Sequence, residues 1–481
     1  MQYAEFLRSH EVAEIHDAAI EILNTVGILV RNEKARDIFE KHGCSVDATT
    51  HIVKIPPNVI RTFRRAFVPS FEFHGRDPQF DRTIPDNRPL IVTASSAPNI
   101  NDPHTGQERP ANSMDIANIA HLVNELPGYD VFSISTLASD APKTLLSVSR
   151  FYPALKNCLK PIRGNTPNMN HIHQVLELGA LIAGSKEAYL ERPFITHHCC
   201  PVVSPLMMDV ESTEMLIYLV ENELPVYGTI VPNAGLTAPM SLTGTLALGN
   251  AEFLCMSVLM QMIRPQTPVI YAVLSTVADM RSGEYAPGGI ETGILQMAHA
   301  EMARFYGVPS GGYVGLTNSH IDDVQAGYET GMSATAAMLG GSDMFNMGGL
   351  LGSLMTFDYA KAVIDNEIAL MLKRIDTGLE PIKEDSFLDL IKEVGPGGSY
   401  MAHEDTIKRM RSTALLPILA IRELRAAWEE NGRPDVYTTA MAQVKEILTQ
   451  DIPAVFDDAM DHQIRSRFND LVVGDSRWNN K

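Results

Sequence analysis

Apolar residues recur along the first 85 positions with the spacing of amphipathic helices. Between Val12 and Val26 they fall at the i, i+3, i+4 and i+7 positions of one buried helical face, and Gly27 ends the pattern. A second helix is predicted over Glu33–Lys41. The segment HIVKIPPNVI predicts a short strand that turns at two prolines into a third helix. Residues 1–85 are therefore interpreted as an N-terminal helical lead-in.

From residue 86 onwards, short apolar and β-branched runs alternate with amphipathic stretches. The runs predicted to be strands are Leu90–Thr93, Val131–Ser135, Phe194–His197, Val226–Val231, Val269–Leu274, Gly312–Leu316 and Asp343–Met347. Helices are predicted near residues 113–125, 143–158, 168–183, 210–223, 243–263, 289–306, 322–340 and 358–375.

This alternation is typical of parallel strands joined by right-handed crossovers. Seven or eight such units over about 300 residues favour a closed (β/α)₈ TIM-type barrel. An open doubly wound sheet is the alternative, although no G-x-G-x-x-G motif follows the first strand of any unit. The predicted organisation is a helical segment over residues 1–85 packed on the barrel, a catalytic barrel over 86–395, and a C-terminal helical extension over 396–481.

Composition narrows the class of protein. Apolar residues make up 45% of the 481 positions and charged residues 20%, as in ordinary globular proteins. The formal net charge of −19 makes nucleic acid an unsuitable partner. The most apolar stretch, from Leu246 to Ile263, is interrupted by Asn250, Glu252 and Gln261, so it predicts a buried helix rather than a membrane span.

Two further features predict a cytoplasmic protein. The first residues lack the basic and apolar regions of a secretory signal. The five cysteines are odd in number and scattered in spacing, so they predict no disulfide framework. The 23 methionines, against two tryptophans, are compatible with an adaptable interior or an anaerobic host.

In a barrel the active site lies at the carboxyl ends of the strands. The residues at these positions are polar but mostly uncharged, and they offer no nucleophile beside a base, so no catalytic residue is assigned. They are Ser95, Ser96, Asn99, His197, His198, Pro232, Asn233, Ser275, Thr276, Thr317, Asn318, Ser319 and Asn346.

The tetrad His197-His198-Cys199-Cys200 offers four potential metal ligands in a row. Successive strand side chains point to opposite faces, so at most two of the four could share one site. Zinc needs three or four protein ligands, and the other predicted strands supply no clear Cys or His. Structural, buried cysteines beside one functional histidine are therefore expected, with no metal assigned.

Other conspicuous groups have plain structural interpretations. His403-Glu404-Asp405 and Asp322-Asp323 are expected at helix N-termini, and Met256, Met260 and Met262 in the core. Aromatic residues near predicted strand ends are expected either to pack or to form a cage for an alkylammonium head by cation–π attraction. These are Tyr313, Phe345, Phe357 and Tyr359.

Several stretches together resemble one known family, the trimethylamine methyltransferase superfamily, and in particular its branch without pyrrolysine. The similarity runs almost from end to end. The most specific segments are QAGYE, from Gln325 to Glu329, and GPGG, from Gly395 to Gly398. The others include HDAAIEILNTVGILV, NDPHTGQERPANSMD, AEFLCMSVLMQMIRPQTPVIYA, HAEMARFYGVPS, GLTNSHIDDV and GGSDMFNMGGLLGS.

The resemblance implies a (β/α)₈ barrel that moves a methyl group from a quaternary amine to the Co(I) of a corrinoid. The corrinoid would be presented by a separate partner protein, with no cofactor bound tightly to this chain, and the resemblance also suggests a homo-oligomer. Because a quaternary nitrogen leaves as a neutral tertiary amine, departure needs no general acid. The chain would act by positioning and desolvation.

The implied substrates are carboxylated betaines of the glycine betaine, proline betaine, carnitine or γ-butyrobetaine type. Asn346 stands where relatives are expected to carry a histidine that binds the carboxylate, and His198 and Thr317 are the other candidate donors. Tyr313 and Phe357 complete the predicted substrate-binding set. Two alternatives stay open: a catalytically idle betaine-binding protein, and a barrel lyase or isomerase, which would need a Lys or Glu base in the mouth.

Overall fold

The computed structural model describes residues 3–379, 387–451, 456–472 and 474–478. Its α-helices are Ser9–Glu21, Glu33–Lys41, Pro57–Arg64, Ser113–Glu125, Val148–Asn157, Met169–Ala183, Lys186–Glu191, Glu211–Glu221, Leu242–Ile263, Ile290–Tyr306, Val324–Leu339, Tyr359–Thr377, Phe387–Val394, Glu404–Thr413, Arg425–Glu430, Val436–Leu448 and Asp458–Arg467. A π-helical turn, Ile22–Val26, extends the first helix, and short 3₁₀ turns occupy Pro78–Phe80 and Lys143–Leu145.

The strands are short. They are Ile28–Val30, Ser45–Val46, Ile52–Lys54, Phe71–Phe73, Arg82–Ile84, Leu90–Val92, Asn99–Asn101, Glu108–Pro110, Phe132–Ser133, Ile162–Asn165, Ile195–Cys199, Val202–Val203, Met207–Met208, Val226–Gly228, Asn233–Ala234, Thr276–Asp279, Glu284–Ala286, Gly311–Tyr313, Met344–Asn346, Leu350–Leu351 and Thr356–Phe357.

Local sequence explains where several helices begin. Asn112 and Asp115 form a reciprocal capping box at the start of Ser113–Glu125. Asp323 accepts a hydrogen bond from the backbone N–H of Ala326 and so caps the helix Val324–Leu339. The helices predicted between the strands are confirmed, with ends that shift by one or two residues; the one near 143–158 divides into a 3₁₀ turn and a shorter helix.

Parallel pairing is the organising feature of the central sheet segments. Ile162–Asn165 lies between Phe132–Ser133 and Ile195–Cys199, and the last of these also pairs with Val226–Gly228. In a second group, Met344–Asn346 lies between Gly311–Tyr313 and Leu90–Val92.

Single parallel bridges link the two groups. Val92 is bridged to Val131, Ile230 to Val273, and Tyr271 to Ser310. Six of the seven predicted strand runs overlap assigned strands. Val269–Leu274 instead pairs with its neighbouring segments only through isolated bridges. The strand Ile162–Asn165 was not predicted.

The interior between these strands is a separate apolar cluster. It contains Leu90, Val92, Val131, Tyr227, Ile270, Ala272 and Met344, together with Phe71, Phe73 and Ile84 of an antiparallel hairpin. Phe71 of this hairpin lines one cavity with Pro193, Pro225 and Pro268, each of which precedes a central strand segment, so the hairpin lies at the amino-terminal ends of the strands.

The N-terminal segment is not purely helical, which corrects the prediction for residues 1–85. Three of its strands join Met207–Met208 and Val202–Val203 in a five-stranded mixed sheet, in which Ile28–Val30 lies parallel to Met207–Met208. The predicted strand-to-helix turn at Pro56–Pro57 is confirmed. The prediction gave this segment one short strand among helices and missed the sheet, because each strand has only two or three residues.

Helices enclose the central strands. Leu242–Ile263 is long and apolar enough to cross a membrane, but 94% of its most apolar window is buried inside the molecule, as in the core helix of a globular protein. Met256, Met260 and Met262 lie in this buried face, as predicted. The C-terminal helix Val436–Leu448 packs against Tyr359–Thr377 and Ser113–Glu125.

Candidate active site

Arg163 occupies the centre of the site, on the strand Ile162–Asn165. It is fully buried, and its guanidinium lies 4.7 Å from the ring centroid of Tyr227. Its Nε donates to Ser133 Oγ over 3.1 Å. Among the described residues, neither Nη1 nor Nη2 has an acceptor within hydrogen-bonding distance. The buried guanidinium of Arg163 thus faces the inside of the parallel strands, and its two terminal nitrogens are left without an acceptor among the described residues.

A second buried arginine lies at the carboxyl ends of the first central strands. Arg150, near the start of Val148–Asn157, is 4% exposed. Its Nη1 donates to Asn165 Oδ1 over 3.0 Å, and its Nη2 donates to Ser96 Oγ over 3.2 Å. Burial lowers the Arg150 pKa to about 10. Ser96 is therefore engaged at the strand end, as part of the support for this arginine.

His198 lies next to the two arginines. Its Nε2 is 2.9 Å from Thr229 Oγ1, and its ring lies 5.5 Å from the ring of Tyr227. Burial, followed by the charges of Arg163 and Arg150, lowers the pKa of His198 to about 3. The imidazole is therefore neutral near pH 7, so it can exchange hydrogen bonds but does not act as a cation.

The other members of the His/Cys tetrad do not gather around His198 to form a metal site. Cys200 Sγ lies 2.9 Å from Thr229 Oγ1 and 3.9 Å from His198 Nε2, whereas the buried His197 ring has no hydrogen-bond partner at either nitrogen among the described residues. Cys199 is buried as predicted, but Cys200 is exposed, which corrects the expectation that both cysteines are buried. Strand alternation separates the pairs, and Cys200 follows the last strand residue.

Asn346 meets the site from the opposite side. Its Nδ2 donates to Tyr227 Oη over 3.1 Å and to the carbonyl of Gly312 over 2.8 Å. Both amide hydrogens are therefore engaged within the protein, and Oδ1 is buried without a partner among the described residues. Asn346 orients Tyr227 in this arrangement, and its role in binding a carboxylate stays a prediction.

Tyr313 lies beside Asn346 on the neighbouring strand and is 6% exposed. Its Oη is 3.5 Å from Ser95 Oγ, and burial, followed by the nearby Tyr313, raises the pKa of Tyr285 on the hairpin Thr276–Ala286. Tyr285 was missed because it lies in a loop-like stretch. Two tyrosines thus stand near the carboxyl ends of the strands.

Thr317 and Phe357 are held in other interactions. Thr317 Oγ1 donates to Glu329 Oε2 over 2.6 Å, and the same oxygen accepts the backbone N–H of Asn318. Phe357 is fully buried and packs edge-on against Tyr359. The structure therefore brings His198, Tyr313 and Asn346 together around Tyr227, while Thr317 joins a loop-bracing network and Phe357 packs.

Below Asn346, a tight turn is anchored by a buried ion pair. Gly348 and Gly349 have φ values of +106° and +80°, a region in which L residues are strained. The backbone N–H of Gly349 donates to Asp365 over 2.8 Å, and Asp365 is hydrogen-bonded to Lys361. This pair fixes the direction in which the chain leaves the strand that carries Asn346.

The remaining sequence assignments are confirmed as helix caps. His403 caps Glu404–Thr413 by accepting the backbone N–H of Asp405. Asp323 caps its helix, as described above. Asp322 differs from the prediction, because its side chain is largely enclosed near Asp365, Asp358 and Lys361, and burial raises its pKa to about 7.

A cavity of about 600 Å³ lies elsewhere, at the amino ends of the strands. It is lined by Pro193, Pro225 and Pro268, which precede three strand segments, and by the ion-paired Arg264 and Glu223. In parallel α/β proteins functional groups gather at the carboxyl ends, so the site is placed at Arg163 and His198 instead.

Parallel strands wrapped by helices, with a buried polar layer towards their carboxyl ends, define the class as an α/β protein of the kind that hosts enzymes. Among solved structures, the monomethylamine methyltransferase of Methanosarcina barkeri shares this fold, with a TM-score of 0.50 at 12% identity over 91% of this chain and 92% of that one. The sequence model of the trimethylamine methyltransferase (MTTB) family matches residues 1–470, and the chain belongs to this methyltransferase family.

Two relatives cover nearly the whole chain. The glycine betaine methyltransferase of Desulfitobacterium hafniense strain Y51 is 30% identical, over 96% of this chain and 95% of its own. The trimethylamine methyltransferase of D. hafniense strain DCB-2 is 27% identical, over 95% and 92%. The family resemblance predicted from the sequence is thereby confirmed.

Proposed function

We propose that this protein transfers a methyl group from a carboxylated quaternary amine to the Co(I) of a corrinoid carried by a separate protein. The observation that carries the proposal is the polar layer formed by the buried Arg163, Tyr227 and Asn346 with the partly exposed His198, in a chain whose family match spans residues 1–470. The layer offers an anion-binding cation beside aromatic and neutral polar groups. This combination suits a zwitterion, whose two ends carry opposite charges.

The reaction needs no general acid and no general base. Co(I) donates an electron pair to the methyl carbon, the C–N bond breaks, and the nitrogen keeps that bond's electrons as a neutral tertiary amine. No proton moves, so a histidine held neutral by burial is compatible with the step. The protein residues bind the amine, orient one methyl group outwards and exclude water, which accelerates such displacements by removing entropic and solvent barriers.

We also propose that the parallel segments close into a (β/α)₈ barrel. The support is the succession of parallel pairs and bridges, in which each of eight segments has a parallel neighbour on either side. The apolar cluster formed by inward side chains from five of these segments also favours an enclosed interior. Barrels place binding residues at the carboxyl ends of the strands, where His198 and Tyr313 lie.

For the corrinoid partner, we propose docking on the loops at the same ends of the strands. Val231, Leu236, Met240 and Met280 are exposed there, and both methionine sulfurs pack against the turn at Gly235. Exposed apolar groups with flexible methionines are typical of protein–protein contact surfaces. A partner seated on this rim would present its corrinoid directly above the polar layer.

Self-association is proposed through the C-terminal extension. The helices Phe387–Val394 and Glu404–Thr413 contain no buried residue, although both carry large apolar side chains. Exposed members of this surface are Phe387, Leu388, Ile391, Ile407, Met410 and Leu424. A homo-oligomer that buries them should dissociate when Ile391 and Ile407 are both replaced by Glu, as measured by sedimentation velocity.

A direct assay tests the function. The purified protein is incubated with reduced cob(I)alamin and, in turn, glycine betaine, proline betaine, carnitine, γ-butyrobetaine and trimethylamine. Methylcobalamin absorbance and the demethylated amine are then measured. We expect both products with at least one betaine. Binding of a betaine without any methyl transfer would instead indicate an idle binding protein, and the proposal would fail.

A further inference from the structure

Arg163 and Arg150 are two buried cations without an anionic partner. Arg163 is 0% and Arg150 is 4% exposed. Within the described parts of the chain, no carboxylate oxygen lies within the 4.0 Å ion-pair distance of either guanidinium. Two lysines do have an anionic partner, since Lys361 pairs with Asp365 and Lys373 with Asp130. The buried Lys160 instead donates to three backbone carbonyls, which use all its hydrogens, whereas Arg163 has two nitrogens without an acceptor among the described residues.

An unpaired buried charge is costly, since desolvation is not offset by an opposite charge. A protein can retain such a group when a ligand supplies the missing charge. For Arg163 the geometry also specifies the kind of ligand. Its Nε is engaged by Ser133, while Nη1 and Nη2 are both free among the described residues. These two nitrogens form the outer edge of the guanidinium, the edge that grips the two oxygens of a carboxylate in parallel.

The surroundings keep this edge in place. The guanidinium plane rests near the Tyr227 ring, whose hydroxyl is in turn held by Asn346. Gly164, the next residue along the strand, leaves no space for a side chain, because an added Cβ would lie 2.5 Å from the Phe151 ring. The strand therefore cannot shift easily towards the helix behind it, and Arg163 is preorganised for a ligand.

We propose that Arg163 binds the substrate carboxylate through Nη1 and Nη2 and thereby restricts the enzyme to zwitterionic amines. Arg150 adds a second positive charge on the same side through its contacts with Asn165 and Ser96. This assignment rests on the proposed function. It places the substrate carboxylate at Arg163 rather than at Asn346, whose amide hydrogens are both engaged within the protein. Amines without an acid group, such as trimethylamine or choline, leave Arg163 unpaired and are rejected.

Equilibrium binding tests the assignment without the corrinoid protein. Isothermal titration calorimetry compares the wild type with Arg163→Gln and Arg163→Lys, using the four betaines and the carboxamide of whichever betaine binds most tightly. The control is Arg425→Gln, which removes the same charge from an exposed arginine of the C-terminal extension. Circular dichroism and thermal melting establish that each variant is folded.

We expect Arg163→Gln to weaken binding of the betaine by about 30-fold or more, as for loss of one partner from a buried charge pair. Arg163→Lys should retain part of the affinity, because an ammonium gives a single point contact instead of a fork. The carboxamide should bind weakly to the wild type and with little further loss to Arg163→Gln. Arg425→Gln should bind like the wild type.

Two results would overturn the assignment: a folded Arg163→Gln that binds the betaine as tightly as the wild type, or a wild type that binds the betaine and its carboxamide equally. If Arg163→Gln does not fold, the second comparison and Arg163→Lys still decide the matter. Failure of the proposed function has a different signature. In that case the betaine binds in an Arg163-dependent manner, but no methyl group reaches cob(I)alamin.

Discussion

The buried ion pair of Lys361 and Asp365 allows a quantitative prediction about how the site is held. Each side chain is 1% exposed. Lys361 Nζ also donates to Thr330 Oγ1 over 3.0 Å, and Asp365 accepts the backbone N–H of Gly349 over 2.8 Å. Gly349 lies three residues after Asn346, so the pair connects a helix directly to the strand end at the site.

Replacing Lys361 by Met leaves the Asp365 carboxylate buried with one neutral donor. Breaking a buried pair in this way costs about 3–5 kcal/mol of unfolding free energy. The double variant Lys361→Met/Asp365→Leu removes both charges and loses mainly the acceptor for Gly349, which costs about 1–3 kcal/mol. We therefore expect the double variant to be more stable than Lys361→Met by about 2 kcal/mol.

Urea unfolding followed by far-ultraviolet circular dichroism measures these differences, and pH gives a second check. Burial raises the pKa of Asp365, and loss of Lys361 raises it further. A carboxyl whose pKa is raised by folding stabilises the protein when protonated and loses that contribution as pH rises. The penalty of Lys361→Met should therefore be larger at about pH 8 than at about pH 5. A double variant no more stable than Lys361→Met, or a penalty independent of pH, would refute this account.

Four further predictions concern the site and its frame. Asn346→Ala should raise KM for the carboxylated substrate more than tenfold, about 1.4 kcal/mol, in steady-state methyl-transfer assays, because Tyr227 loses the amide donor that holds it against Arg163; unchanged kinetics would remove Asn346 from the site. Glu329→Gln should lower the melting temperature by a few degrees, since Thr317 loses a charged acceptor worth about 1.5–3 kcal/mol, whereas an unchanged melting curve would contradict that role. Burial raises the Asp322 pKa from 3.8 to about 7, so wild-type stability should fall as pH rises through this window, and Asp322→Asn should flatten the fall in urea titrations. Tyr313→Leu should weaken calorimetric binding of glycine betaine by about 0.5–2 kcal/mol but spare 3,3-dimethylbutanoate, which keeps the carboxylate and has an uncharged tert-butyl head; equal losses would argue against a cation–π contact.

The spacing of apolar residues predicted the helices of the fold well, because a long amphipathic helix repeats its apolar pattern over several turns. The helix Ser113–Glu125, for instance, combines a capping box with a buried apolar face that the sequence displays directly. Short strands leave a weaker signal. Ile162–Asn165 reads IRGN and escaped prediction, since an arginine and a glycine in four residues are typical of a loop.

The same strand explains why the site was only partly predicted. Positions after apolar strands pointed to His198, Tyr313 and Asn346, which the structure gathers around Tyr227. Arg163 lies within a strand rather than after one, so the strand-end rule does not find it. The available signal was an arginine between Ile162 and Gly164 in LKPIRGN, and it becomes informative only when its burial and its missing acceptors are known.

The hairpin formed by Phe71–Phe73 and Arg82–Ile84 has a kinetic consequence. Its apolar side chains belong to the inner cluster, and Phe71 lies at the amino-terminal ends of the strands, so we expect a small amine to reach Arg163 from the carboxyl ends, where His198 is partly exposed. The docking proposed above places the corrinoid protein at the same ends. We therefore expect ordered binding: the amine binds first, the larger protein then docks over it, and the demethylated amine leaves only after that protein has dissociated.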